Sequence, residues 1–157
     1  MVDMSGEYRI KAPRARVWEA LNDAETLGQC IPGCESVEKT GENEFTGRAV
    51  IALGPVKAKF SGKVQLTDLD PPNGYRLNGE GTGGIAGFGK GGAVVTLIEE
   101  DPETTLLQYT AEAQVGGKLA QIGSRLIQSS AKKIADDFFA KFAVKVAGDE
   151  AASQAAG

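Results

Sequence analysis

The sequence predicts an α+β fold: a curved antiparallel sheet of six to seven strands wrapped around a long C-terminal helix, with two short helices near the N-terminus. Three observations carry this expectation. Apolar residues recur at every second position between residues 35 and 115, the period of strands covered on one face. After Gly116-Gly117 the period changes to that of an amphipathic helix and holds to about residue 146. Short turns join the strand segments, so these pair antiparallel, because parallel pairing demands long crossovers. At 157 residues the chain has the size of one domain with a proper core.

Residues 5–11 alternate weakly and form a short first strand. Pro13 suits the first position of a helix, where its fixed φ and missing N–H are tolerated, and Val17, Trp18 and Leu21 follow at helical spacing. Asp23 is placed to cap a second short helix reaching about Leu27, and Pro32-Gly33 ends that region in a turn. The alternation is clearest over 56–66. Val56, Ala58, Phe60, Gly62, Val64 and Leu66 share one face, and Lys57, Lys59, Ser61, Lys63 and Gln65 the other. Phe45, Gly47, Ala49 and Ile51 mark the covered face of the strand before it, joined through Gly54-Pro55. Asp-Pro-Pro-Asn-Gly at 70–74 is a turn, since Pro presets φ and Asn-Gly tolerates positive φ. Strands follow at 75–79, 93–100 and 104–115, the last two joined at 101–103. The consecutive strands predict a meander.

The final helix is expected over residues 118–146, with Leu119, Ile122, Leu126, Ile134, Phe138 and Phe142 as its apolar stripe. Lys132, Lys133, Asp136, Asp137, Lys141 and Lys145 occupy the wet side. Such a helix must cover something apolar, and the inner face of the sheet is the surface of matching length. The domain is therefore expected over 1–146, with the small-residue segment 147–157 as a disordered tail.

Composition removes whole classes of function. The 17 basic and 21 acidic residues leave a formal charge of -4, and no segment concentrates Lys or Arg, so nucleic acid is not an expected partner. No apolar run is long enough to span a bilayer, and the N-terminal segment lacks the apolar stretch of a secretory signal. A cytoplasmic protein with reduced thiols at Cys30 and Cys34 is the expectation. Histidine is absent, which removes imidazole-activated nucleophiles and leaves two cysteines without further thiolate or imidazole ligands for a metal. No catalytic residue, metal or cofactor is assigned, and a protein that is not an enzyme is expected. The acid pairs Glu99-Glu100 and Asp136-Asp137 are adjacent in sequence, so their members do not converge on one site. Glu80 and Glu112 alternate onto the outer face; either of them found inside would favour an enzyme.

Residues 81–92 (GTGGIAGFGKGG) hold seven glycines in twelve positions. Gly84 to Lys90 matches a phosphate-binding loop, and Gly79, Gly81 and Gly84 match a dinucleotide fingerprint. Both motifs need a helix immediately afterwards to receive the phosphates, whereas residues 93–98 read as a strand. The glycines instead serve a curved sheet, and on its inner face they leave volume unfilled. A cavity between sheet and helix follows. Its expected lining is Ala49, Ile51, Phe60, Leu77, Phe88, Val95, Tyr109, Leu119, Ile122 and Leu126, with Gly83, Gly84, Gly87 and Lys90 at its portal. Tyr109 or Lys90 would supply a polar contact to an apolar small molecule. The inward aromatics Phe60, Tyr75, Phe88, Tyr109, Phe138 and Phe142 also fit simple core packing.

The order of elements resembles the helix-grip fold of the START-like, or SRPBCC, superfamily. More narrowly, five segments resemble the carbon monoxide dehydrogenase G-subunit family. They are Ala12-Pro13-Arg14 with Val17-Trp18, Ile31-Pro32-Gly33-Cys34-Glu35, Val56-Lys57-Ala58-Lys59-Phe60-Ser61-Gly62, Gly81-Thr82-Gly83-Gly84 with Gly87-Phe88, and Val115-Gly116-Gly117-Lys118-Leu119-Ala120. The resemblance implies an accessory role beside a molybdenum hydroxylase such as aerobic carbon monoxide dehydrogenase. It implies tethering of that enzyme to the inner face of the cytoplasmic membrane, with a quinone or other isoprenoid lipid as the guest. Two alternatives remain open at this point: a recruitment factor acting through its surface without a ligand, and a cyclase or hydrolase of the kinds built on this fold.

Overall fold

The strands are β1 (Val2–Ile10), β2 (Cys34–Gly41), β3 (Glu44–Leu53), β4 (Val56–Asp70), β5 (Gly74–Thr82), β6 (Phe88–Asp101) and β7 (Thr104–Gly116). In the computed structural model they form one antiparallel sheet in the order β1-β7-β6-β5-β4-β3-β2. The structure describes residues 2–147, and the backbone of the last helix to Ala156. The side chains beyond Ala147, where the tail is expected, fall outside the described residues.

From β2 to β7 each strand pairs with its sequence neighbour, as the short turns require. β1 departs from the expected run of neighbours. It pairs with β7, from Val2 opposite Ala113 to Ile10 opposite Thr105, at the edge of the sheet remote from β2. The connection from β1 to β2 contains two helices, α1 (Arg14–Leu21) and α2 (Ala24–Cys30), and is long enough to cross between the edges. Pro13 flanks α1 in extended conformation, and Asp23 caps α2 by accepting from the Thr26 amide. The buried Thr105 hydroxyl donates to the Ala12 carbonyl at 2.8 Å, fastening the entrance of α1 to β7.

The expected single C-terminal helix is two. α3 (Lys118–Gln121) ends at Ile122, and α4 (Ser124–Ala156) restarts after Gly123. Gly123 has φ +91°, a left-handed conformation that ends a right-handed helix and that side chains disfavour. The break resets the rotational phase, so the apolar stripe does not run through Leu126. Leu126 turns outward at 47% exposure, and Ile127 is buried in its place.

Two hydrophobic clusters result. The larger joins Phe142 and Val146 of α4, with Phe138 and Phe139 against them, to Ile10, Val17, Leu97, Leu107 and Tyr109. The smaller gathers Val2, Leu119 and Ile127 with Leu53, Phe60 and Ile122 around them. Tyr8 of β1 stacks on Phe139 at 4.4 Å and donates to Asp136 Oδ1 at 2.5 Å, holding α4 against the sheet edge.

An apolar cavity floored by a row of glycines

Between the two clusters the inner face of the sheet is crossed by a row of positions without side chains. Gly47 of β3 pairs with Gly62 of β4, Gly62 with Gly81 of β5, and Gly81 with Gly89 of β6. Four glycines therefore stand in one transverse row across four adjacent strands. A row of residues in register points to one face, and here that face is the one the helix covers. With no Cβ along the row, helix and sheet cannot close on each other there.

The row lies in the lining of a cavity of about 520 Å³. This is within the usual size range of small-molecule sites. Its walls are apolar: Leu21 and Leu27 from the N-terminal helices, Phe45, Val64, Leu66 and Val95 from the sheet, and Phe138 and Phe139 from α4 among them. No Asp, Glu or Lys side chain lines it among the described residues. Tyr75 and Gly81 mark positions six residues apart along β5, so the cavity extends about 20 Å along that strand at about 3.3 Å per residue.

Of the ten residues expected in the lining, Ala49, Ile51, Phe60, Leu77, Val95 and Leu119 are on the wall. Four are not. Phe88 is on the outer face at 53% exposure, because the short turn at Gly84–Ala86 resets the alternation and puts Gly89, not Phe88, in the inward phase. Tyr109 faces inward but packs under α4 with Tyr8 and Phe139. Ile122 and Leu126 lie over the Gly54 turn, where the helix break has carried them.

The expected portal residues are also displaced. Gly83 sits against the Phe60 ring and Gly87 against Gly117 and Leu119, while nothing approaches Gly84. Lys90 points outward, beside Glu80, Glu112 and Lys63 on the opposite face of the sheet, so it cannot orient a guest inside. Both glutamates are on the outer face, as the alternation predicts. The glycine-rich segment runs directly into β6, so both phosphate motifs lack the helix that must follow them in the chain.

Cys34 and Tyr75 are among the wall residues outside the expected ten. Cys34 lies on the lining with its thiol pKa pushed upward by burial, and Cys30, buried at the end of α2, has the same shift and cause. Neutral thiols in apolar surroundings are poor nucleophiles. Tyr75, at 7% exposure, meets Trp18 edge-on at 5.5 Å and lines the cavity far from the glycine row. Its inward phase is legible in the sequence, but not its place in a cavity wall.

No helix among the described residues is long and apolar enough to cross a membrane. Comparison with known proteins places the architecture. A conserved protein from Geobacillus kaustophilus superposes with a TM-score of 0.88 at 36% identity, over 94% of this chain and 96% of that one. A START superfamily protein from Mycobacterium smegmatis gives 0.73 at 11% identity, over 93% and 97%. The Zhui aromatase/cyclase from a Streptomyces species gives 0.68 at 16% identity, over 92% of each chain. These last two establish a shared fold. No curated protein matches the sequence. The family model for the carbon monoxide dehydrogenase G-subunit (CoxG) matches residues 6–147, nearly the whole of the sheet and its helices, and the chain belongs to that family, on a START-like helix-grip fold.

Proposed function

We propose that this protein is an accessory carrier that holds a quinone or other isoprenoid lipid between its sheet and C-terminal helices. In this reading it couples a molybdenum hydroxylase such as carbon monoxide dehydrogenase to the cytoplasmic membrane. The observation that carries the proposal is the row Gly47-Gly62-Gly81-Gly89, which keeps an apolar cavity open in the middle of an otherwise well-packed sheet. A cavity with such walls gains about 25 cal/mol for each Å² of apolar guest surface it removes from water. The partner class rests on family membership. A quinone delivered to the enzyme takes up two electrons and two protons and leaves as the quinol.

The lining supports a carrier over an enzyme. Its walls lack carboxylates and ammonium groups, and its thiol is kept neutral. A second contribution, surface recruitment, draws support from Ile85 and Phe88, which project at 88% and 53% exposure from the glycine-rich segment. The two roles are compatible.

The test is gentle purification followed by solvent extraction and mass spectrometry, with a parallel pull-down against the purified hydroxylase. The proposal expects a quinone or prenyl lipid in near-stoichiometric amount and retention of the enzyme. Protein that neither retains nor takes up such molecules would overturn it.

A further inference from the structure

The cavity is not uniformly apolar. Ser36, Thr46, Arg48 and Ser61 touch it by way of β2, β3 and β4, but Thr46, Arg48 and Ser61 stand at outward strand positions. At the end remote from the glycine row the polar residue on the wall is Tyr75. Its hydroxyl has no hydrogen-bond partner among the described residues, although the residue is more than nine-tenths buried. Nor is the hydroxyl sealed against apolar atoms, since Arg14 Nε is the buried side-chain polar atom found closed off without a partner. The phenol oxygen thus keeps some accessible surface, and Tyr75 is a residue of the cavity wall.

A largely buried hydroxyl without a protein partner gives up part of its hydration and gains no hydrogen bond in exchange. Phenylalanine fills the same volume without that cost. The hydroxyl is also held protonated, its titration displaced well upward by burial, so at every physiological pH it is a donor. An unsatisfied donor at the end of an apolar tunnel is suited to an apolar molecule with one polar acceptor at its leading end.

We infer that Tyr75 anchors the guest, its hydroxyl donating a hydrogen bond to a carbonyl oxygen on the ligand's ring while the tail extends along β5 towards the glycine row. This rests on the carrier reading and specifies the ligand as a carbonyl-bearing prenyl compound entering head first. Trp18, edge-on to Tyr75, fixes the phenol ring in place.

The experiment compares wild type and Tyr75→Phe in binding two probes, a prenylated 1,4-naphthoquinone and the prenylated naphthalene of equal tail length. The quinone is expected to lose about five- to tenfold in affinity in the variant, the range of one neutral hydrogen bond, while the hydrocarbon binds both proteins within about twofold. The quinone carbonyl stretch, red-shifted in wild type, returns towards its free position in the variant. Ligand-free Tyr75→Phe melts at or above the wild-type temperature, because no protein hydrogen bond is removed. Equal quinone binding with an unshifted carbonyl, or a clear loss of stability in the ligand-free variant, overturns the anchor and leaves the carrier reading standing. Wild type that takes up neither probe overturns both.

Discussion

Gly81 and Gly89 stand directly opposite each other across β5 and β6, both facing the cavity. Neither has the positive φ that would demand glycine. A Cβ at Gly89 would meet nothing nearer than 3.7 Å, an ordinary contact distance. Glycine at this position therefore serves volume, not backbone conformation. Gly89→Val is expected to fold and to melt at or above wild type, since glycine weakens a strand interior by roughly 0.5–1 kcal/mol. The same variant is expected to lose at least about fivefold in affinity for a prenyl quinone, the loss of roughly one buried methylene contact or more. Calorimetry and a binding isotherm on one sample check both halves. Stability falling by several kcal/mol, or unchanged binding, would refute the volume argument.

Gly47 is the opposite case in the same row. A Cβ there would lie 2.7 Å from the Ser36 carbonyl oxygen on β2. Gly47→Ala is expected to destabilise by about 1–3 kcal/mol, the usual cost of overpacking, by pushing the edge strand away. Urea denaturation measures it, and a neutral outcome would show that β2 moves freely.

The Tyr8–Asp136 hydrogen bond links the first strand to the last helix. Tyr8 holds the Asp136 carboxyl below the usual carboxylate range, against the opposing effect of burial, with Lys132 assisting. Because the folded value is depressed, the stabilisation is present above the unfolded carboxylate value, about pH 4, and is lost as pH falls through the folded value. The stability gap between wild type and Tyr8→Phe should be about 1 kcal/mol at pH 7, discounted for the carboxylate's exposure, and should shrink in acid. Urea midpoints between pH 2 and 7 show this directly, and a gap independent of pH would assign the effect to ring packing.

Asp23 caps α2, accepting from the Thr26 amide at 3.2 Å and from the Thr26 hydroxyl at 2.6 Å. Asp23→Ala is expected to cost about 1 kcal/mol and Asp23→Ser much less. Thermal melts of the two variants decide it, and equal losses would indicate a charge effect instead of a cap.

Much of the architecture is legible because it follows from local periodicity. The alternation over 56–66 is reproduced along β4, and the Asp23 cap forms as its position predicts. What escapes the sequence depends on phase or on distant pairing. One glycine, Gly123, divides the terminal helix and rotates Leu126 out and Ile127 in. The turn at Gly84–Ala86 shifts the alternation by one, which exchanges Phe88 for Gly89 on the inner face. The glycine row itself is invisible along the chain, since its members are brought together only by strand register. Asp136 reads as one more solvated charge on α4 until β1, more than a hundred residues earlier in the chain, delivers the Tyr8 hydroxyl to it.

The central claim is that the cavity takes up an apolar, ring-bearing guest, and the protein contains its own reporter. Its single tryptophan, Trp18, touches Tyr75 at the cavity's far end. Titration with a prenylated naphthoquinone, followed by Trp18 fluorescence, tests the claim most directly. Saturable quenching at one ligand per chain is expected, strongly weakened in Gly89→Val. Non-saturating quenching, or quenching identical in the two proteins, would contradict it.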